Sequence, residues 1–143
     1  MKADDIHIRQ FSEEDWQQFR DIRLAALKDC EGVYLASYKN ALNHSQSYWK
    51  ETLRGGDRAL FGLFDADKNI GLGSIFTWKD DPSGKTGILA MGYIVPAYRG
   101  QGFSKMLYEA RINWAQNHPL IEKIVVSHRK GNEVSRRANQ AYG

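Results

Sequence analysis

The chain has 143 residues, 42% hydrophobic and 26% charged, which suits one globular domain with a single core and excludes a disordered chain. No apolar run reaches the ~18 residues that a bilayer crossing needs, and the acidic start (Asp4, Asp5) lacks a signal-peptide stretch, so no membrane association is expected. The net charge of +3 is mild, and basic residues cluster only at Arg129-Lys130 and Arg136-Arg137, too briefly and without the interleaved aromatics that a nucleic-acid partner would require.

A lone cysteine, Cys30, permits no internal disulfide and fits a reducing cytoplasm. Residues 5–10 alternate, with Ile6 and Ile8 set against His7 and Arg9, and predict a short first strand. Ser12 precedes Glu13, Glu14 and Asp15, the pattern of a capped helix start, with Phe11 and Trp16 able to pack across the cap. Trp16, Phe19, Ile22 and Ala26 recur at helical spacing and predict one buried face through about Lys28. Residues 30–43 carry Tyr34 and Tyr38 without a clear period and read as a loop. A second helix is expected from Ser45 or Ser47 to Arg54, stopped by Gly55-Gly56.

Residues 59–64 predict a strand, 65–69 a tight turn and 70–78 the returning strand. After a turn at 79–85, residues 87–95 form a near-continuous apolar run, as in a central strand buried on both faces. Pro96 ends it, residues 99–102 turn the chain, and a helix begins near Phe103 with an apolar face of Phe103, Leu107, Ala110 and Trp114. Pro119 closes that helix, 121–127 is another strand, and Asn132 opens a last helix toward Tyr142. The order β-α-α-β-β-β-α-β-α implies an α/β (α+β) domain over 1–143, a mixed central sheet flanked by helices.

The turn Arg99-Gly100-Gln101-Gly102-Phe103-Ser104 carries the chemistry. A helix N-terminus leaves its first N–H groups unpaired and adds partial positive charge, and glycines let backbone approach an anion closely. With the cation of Arg99, this makes a diphosphate cradle, although the glycines alone would equally suit a plain strand-to-helix turn. No Gly-Lys-Ser/Thr ending of a P-loop and no third glycine of a dinucleotide fingerprint is present.

Ile94-Val95-Pro96-Ala97-Tyr98-Arg99-Gly100-Gln101-Gly102-Phe103-Ser104 resembles the acetyl-CoA signature of the GNAT superfamily of N-acetyltransferases, Arg/Gln-x-x-Gly-x-Gly/Ala after a strand ending in a Pro-x-Tyr segment. Arg99 and Gly102 match, while Ser104 stands where Gly or Ala is usual. Asn132-x-x-Ser135-x-x-x-Asn139-x-x-x-Gly143 resembles the later segment of the same family, so the resemblance spans nearly the whole chain.

The resemblance implies acetyl-CoA as co-substrate and an amine acceptor. Main chains of Ile94 and Val95 would bond pantetheine, and Arg99, Gly100, Gln101, Gly102, Phe103 and Ser104 would hold the pyrophosphate. Asn132 would contact pantetheine or order the mouth of the site, with Ser135 and Asn139 near the thioester. A neutral amine would attack the thioester directly, with a backbone N–H of the splayed strand stabilising the oxyanion. Many members place a tyrosine seven residues after the asparagine as the acid; here Asn139 stands there, and an amide cannot donate a proton as a phenol does.

No carboxylate lies within 87–95 to serve as base, which leaves Tyr93 and His128. Each has a plainer reading, a strand aromatic and a solvated residue beside Arg129-Lys130. His7, His44, His118 and His128 show no paired metal spacing, so no metal is expected. By resemblance the segments 30–46 and 79–85 would wall the acceptor pocket, offering Tyr34, Tyr38 and Trp49 for stacking and Asp80 and Asp81 for a cationic amine.

The family continues beyond the glycine that corresponds to Gly143 with two more strands. The expectation is therefore a truncated form, its C-terminal strands missing, or strands supplied by the partner in a homodimer. A non-catalytic acyl-CoA-binding or regulatory module is the alternative function.

Overall fold

Alternation in one strand and its absence in the next show how the sheet is covered. In β1 (Ile6–Gln10) the half-buried Ile6 and Ile8 alternate with exposed neighbours. In β2 (Arg58–Asp65) every residue from Ala59 to Phe64 is buried. Leu60 and Phe64 enter one core, while Ala59, Phe61 and Leu63 enter another on the opposite face.

The computed structural model describes residues 5–29, 35–77 and 81–126, without the side chains of 35–37. It shows a five-stranded sheet in the order β1-β2-β3-β4-β5, completed by β3 (Lys68–Thr77), β4 (Thr86–Ile94) and β5 (Lys123–Val126). The first four strands pair antiparallel and β5 runs parallel to β4, the mixed sheet expected from the sequence.

Helices α1 (Trp16–Asp29), α2 (Leu35–Leu42) and α3 (Gln46–Thr52) contribute Phe19, Ile22, Leu27, Ala41 and Trp49 to the first core. Helix α4 (Phe103–Gln116) contributes Leu107, Tyr108 and Ala115 to the second. A single 3-10 turn, Glu13–Asp15, leads into α1. There the Ser12 N–H donates to Asp15 Oδ2 at 2.8 Å, and Arg9 donates to Asp15 Oδ1 at 2.7 Å. Of the two candidate caps for α3, Ser45 is the one used, its Oγ accepting from the Tyr48 N–H at 3.2 Å.

Three expectations need correction. Residues 35–42, read as loop, form α2, which packs on α1 through Ala41 and Tyr38. The buried centre of α4 runs through Leu107, Tyr108, Arg111 and Ala115, and the predicted Phe103, Ala110 and Trp114 are its half-buried flank. Strand β4 is not buried throughout: Thr86, Gly87 and Leu89 are, but Met91, Tyr93 and Ile94 are half-buried and Gly92 is exposed. The helix expected from Asn132 lies outside the described residues. Among the described residues no helix is long and apolar enough to cross a membrane.

Candidate functional site

The change of burial along β4 marks a break in its pleat. Leu72 pairs with Tyr93 and Ser74 with Ala90, so two steps on β3 face three on β4 and one residue is extra. The bulge falls at Met91-Gly92, and Met91 takes φ 56°, a left-handed conformation rare for a side chain of its kind. The extra residue reverses the pleat. Leu89 joins the α4-side core, whereas Met91 and Tyr93 pack against the core under α1–α3.

The pairing of β4 with β5 is described for Thr86–Leu89 only, opposite Lys123–Val126. The stretch from Ala90 to Ile94 lies beyond it. Val95 donates its N–H to the Ile70 carbonyl at 2.9 Å and accepts from the Tyr98 N–H at 3.0 Å. Its main chain thus serves β3 and the following turn. A planar trans peptide then directs the Ile94 carbonyl the other way, toward the β5 side. There it accepts from Arg99 Nε at 2.8 Å.

After a 3-10 turn at Pro96–Tyr98, Gly100 (φ 77°) and Gly102 (φ 83°) bring the chain into α4, with Gly102 as its N-cap. A Cβ built at either glycine would meet nothing within 4 Å. Backbone conformation, not crowding, therefore favours glycine at both. Gly100, Gln101, Gly102 and Ser104 are exposed, while the half-buried Phe103 packs against the α4-side core. Arg99 extends from this turn, its Nη2 2.6 Å from Asp29 Oδ2 at the end of α1 and its guanidinium 5.5 Å from the Tyr93 ring centre. The exposed glycine turn thus stands at a helix N-terminus with one cation tethered beside it.

A cavity of about 250 Å³ opens on the α1–α3 face and reaches the bulge, with Met91 in its lining. Phe19, Leu27 and Trp49 give apolar walls, and Arg23, His44 and Tyr48 also line it. His44 stacks on Tyr48 with ring centres 3.6 Å apart, and Trp49 stands edge-on to Phe19 at 5.5 Å. Tyr38 packs against the same core and is not among the lining residues.

Asp81 is occupied within its own turn, accepting from Thr86 Oγ1 at 2.6 Å and from Ser83. The hydrogen bond from the Ser83 hydroxyl, then that from Thr86, holds its carboxyl below the usual aspartate range. Asn132, Ser135, Asn139, His128, Cys30, Tyr34 and Asp80 lie outside the described residues. No group of His, Cys, Asp and Glu that could hold a metal occurs among the described residues.

Sequence reading missed the Met91-Gly92 bulge, the cavity position of His44 and the Asp29–Arg99 pair. A glycine inside an apolar strand was the available signal for the bulge. It also missed Arg111, a buried cation four residues after Leu107 on the inner row of α4. Burial pulls its pKa down to about 10 against the raising influence of Tyr108, so it stays charged at neutral pH.

Comparison with known proteins bears on the fold and on the family. No curated protein matches the sequence. The fold is similar to a predicted acetyltransferase from Clostridium acetobutylicum with acetyl-CoA, at TM-score 0.74 and 20% identity over 96% of this chain and 88% of that one. It is also similar to AAC(6′)-Iy, an aminoglycoside N-acetyltransferase, in complex with a bisubstrate analog (0.72, 20%, 96% and 89%). A third is a ribosomal-protein-alanine N-acetyltransferase from Brucella melitensis (0.68, 19%, 95% and 89%). At such identities the likeness is one of fold, but the pattern of the Acetyltransferase (GNAT) family itself matches residues 8–143, and the chain belongs to that family.

Proposed function

We propose that the chain transfers the acetyl group of acetyl-CoA to a primary amine by direct attack. The observation that carries this reading is a sequence of features along one strand-turn-helix unit. The bulge at Met91-Gly92 borders the cavity, and an exposed two-glycine turn with Arg99 follows within a dozen residues. The turn N–H groups and Arg99 would hold the pyrophosphate, the Ile94 edge would receive pantetheine, and the cavity would take the amine.

An amine with pKa near ~10 must first lose a proton. His44 is the one described histidine lining the cavity and joins Tyr93 and His128 as a candidate base. The amine nitrogen then bonds to the thioester carbon, and a main-chain N–H of the bulge stabilises the oxyanion. Collapse breaks the C–S bond; the nitrogen gives up its extra proton and the thiolate takes one up, which leaves free CoA and a neutral amide. The similar folds include enzymes named for an aminoglycoside and for a ribosomal protein, so small-molecule and protein amines both belong in the test.

Calorimetry should find acetyl-CoA binding at or below ~100 µM, within the usual range for an enzyme's substrates. Release of CoA thiol against a panel of small amines and peptide N-termini should follow. Absence of binding at millimolar acetyl-CoA would refute the reading. Binding with no thiol release from any amine would move the chain to a non-catalytic acyl-CoA-binding module.

Asp29 offers a finer check, because its carboxylate both tethers Arg99 and stands near the proposed diphosphate. Exposed pairs contribute at most about 1 kcal/mol, so Asp29→Asn should tighten CoA binding by about 2- to 5-fold at low salt. The gain should shrink at high salt as the charges are screened. Weaker binding in Asp29→Asn would show that the carboxylate positions Arg99 and does not compete for it.

A further inference from the structure

Arg111 is 4% exposed and has no carboxylate among its described partners. Its Nε donates to the Leu107 carbonyl at 3.1 Å within α4. Its Nη1 leaves the helix and reaches two carbonyls on the seam between β3 and β4, Ser74 at 3.3 Å and Ala90 at 3.4 Å. The approach is open because the residue beneath is Gly73, where a Cβ would lie 3.2 Å from Nε and 3.3 Å from Cζ. The fully buried Ser74 adds a second donor, its Oγ 2.8 Å from the same Ala90 carbonyl.

These contacts converge where the ladder is interrupted. The Met91-Gly92 bulge leaves an extra residue between the Ala90 and Tyr93 pairings, and a bulge disrupts the regular donors at such a point. The contacts with Ser74 show that the Ala90 carbonyl points toward β3. The peptide is trans and planar, so the Met91 N–H on its other side points away from β3, toward the β5 side of the strand. That is the edge on which the proposed reaction places the thioester.

We propose that Arg111, with Ser74, is a positioning residue: it clamps the Ala90–Met91 peptide at the bulge and so aims the Met91 N–H at the acetyl carbonyl of bound acetyl-CoA. This rests on the acetyl-transfer reading above. A guanidinium suits the task because its planar fork spans several carbonyls at once, where an ammonium would satisfy them less well.

The test uses the whole chain with [1-13C]acetyl-CoA as probe. In the wild type the carbonyl resonance should move downfield on binding, as polarisation by an N–H donor requires. In Arg111→Met the bound shift should fall at least halfway to the free value, and Arg111→Lys should recover part of it. Acetyl-CoA affinity by calorimetry should change by less than about twofold, while kcat for thiol release falls at least ~10-fold, since a displaced oxyanion donor acts on the chemical step. Ser74→Ala removes only the second donor, and should show a smaller shift in the same direction even if Arg111→Met fails to fold.

Wild-type chain that does not bind acetyl-CoA would sink the underlying reading. Binding with an unmoved carbonyl resonance would sink this proposal alone. So would folded Ser74→Ala and Arg111→Lys proteins with wild-type shift and kcat.

Discussion

Arg99→Ala combined with Gly102→Asp should raise the dissociation constant for CoA at least ~100-fold while leaving the fold intact. Loss of a guanidinium from a charge-assisted hydrogen bond costs about 1.5–3 kcal/mol. At φ 83° an L side chain costs roughly 1–2 kcal/mol, which the free turn escapes by relaxing out of the left-handed region and which CoA binding must restore. The new carboxylate would also stand at the N-terminus of α4, where it competes with the diphosphate for the same N–H groups. Together these reach about 3–5 kcal/mol, or roughly two to three and a half decades in affinity.

The fold should survive because a Cβ at Gly102 has open space around it, and aspartate is a favoured N-cap that offsets part of the strain. Gly102→Ala is the control, keeping the strain without the charge, and should lose only about tenfold. Calorimetry with CoA and a thermal melt of each variant decide the matter. Unchanged affinity in the double variant would refute the placement of the pyrophosphate.

What the sequence disclosed of this site depended on how local the signal was. The strand, glycine turn and helix from Ile94 to Ser104 are consecutive, and glycines before a periodic apolar face can be read residue by residue. The bulge could not be read that way. An apolar run has the same appearance whether or not its pleat slips, so Leu89 and Met91 look like neighbours on one face although they enter opposite cores. The pairing of Asp29 with Arg99 bridges 70 positions and no local pattern announces it.

The same distinction governs the fold. Helix α1 declared itself through four well-spaced apolar residues in fourteen. Helix α2 has only eight residues, too few for a period to stand out, and it is held by packing on α1. In α4 the apolar residues indicated the right helix but the wrong centre. The innermost row includes a charge, Arg111, whose burial makes sense only beside Gly73 and the carbonyls of the bulge.

Phe19→Ala should cost about 3–5 kcal/mol, a large share of the ~5–15 kcal/mol that holds a typical domain together. Phe19 is 1% exposed, tilted against Phe11 at 6.1 Å and edge-on to Trp49 at 5.5 Å. The helix, β1–α1 connection and α3 meet on its ring, so neighbours cannot close the gap without moving one another. For a chain of this length the melting temperature should fall by roughly 10–20 °C. Phe19→Leu, which keeps most of the volume, should lose only about 1–1.5 kcal/mol.

The ring is also a wall of the cavity beside Met91, so stability and acceptor binding are linked through one side chain. Below its melting temperature Phe19→Ala should raise KM for the amine several-fold, because the wall recedes and Trp49 loses its edge partner. Acetyl-CoA affinity should stay within about twofold, since the proposed pyrophosphate turn packs on the opposite core through Phe103. Equal losses of amine and acetyl-CoA binding in the folded variant would show that the cavity and the cofactor edge are one site, and that the amine does not enter from the α1–α3 face.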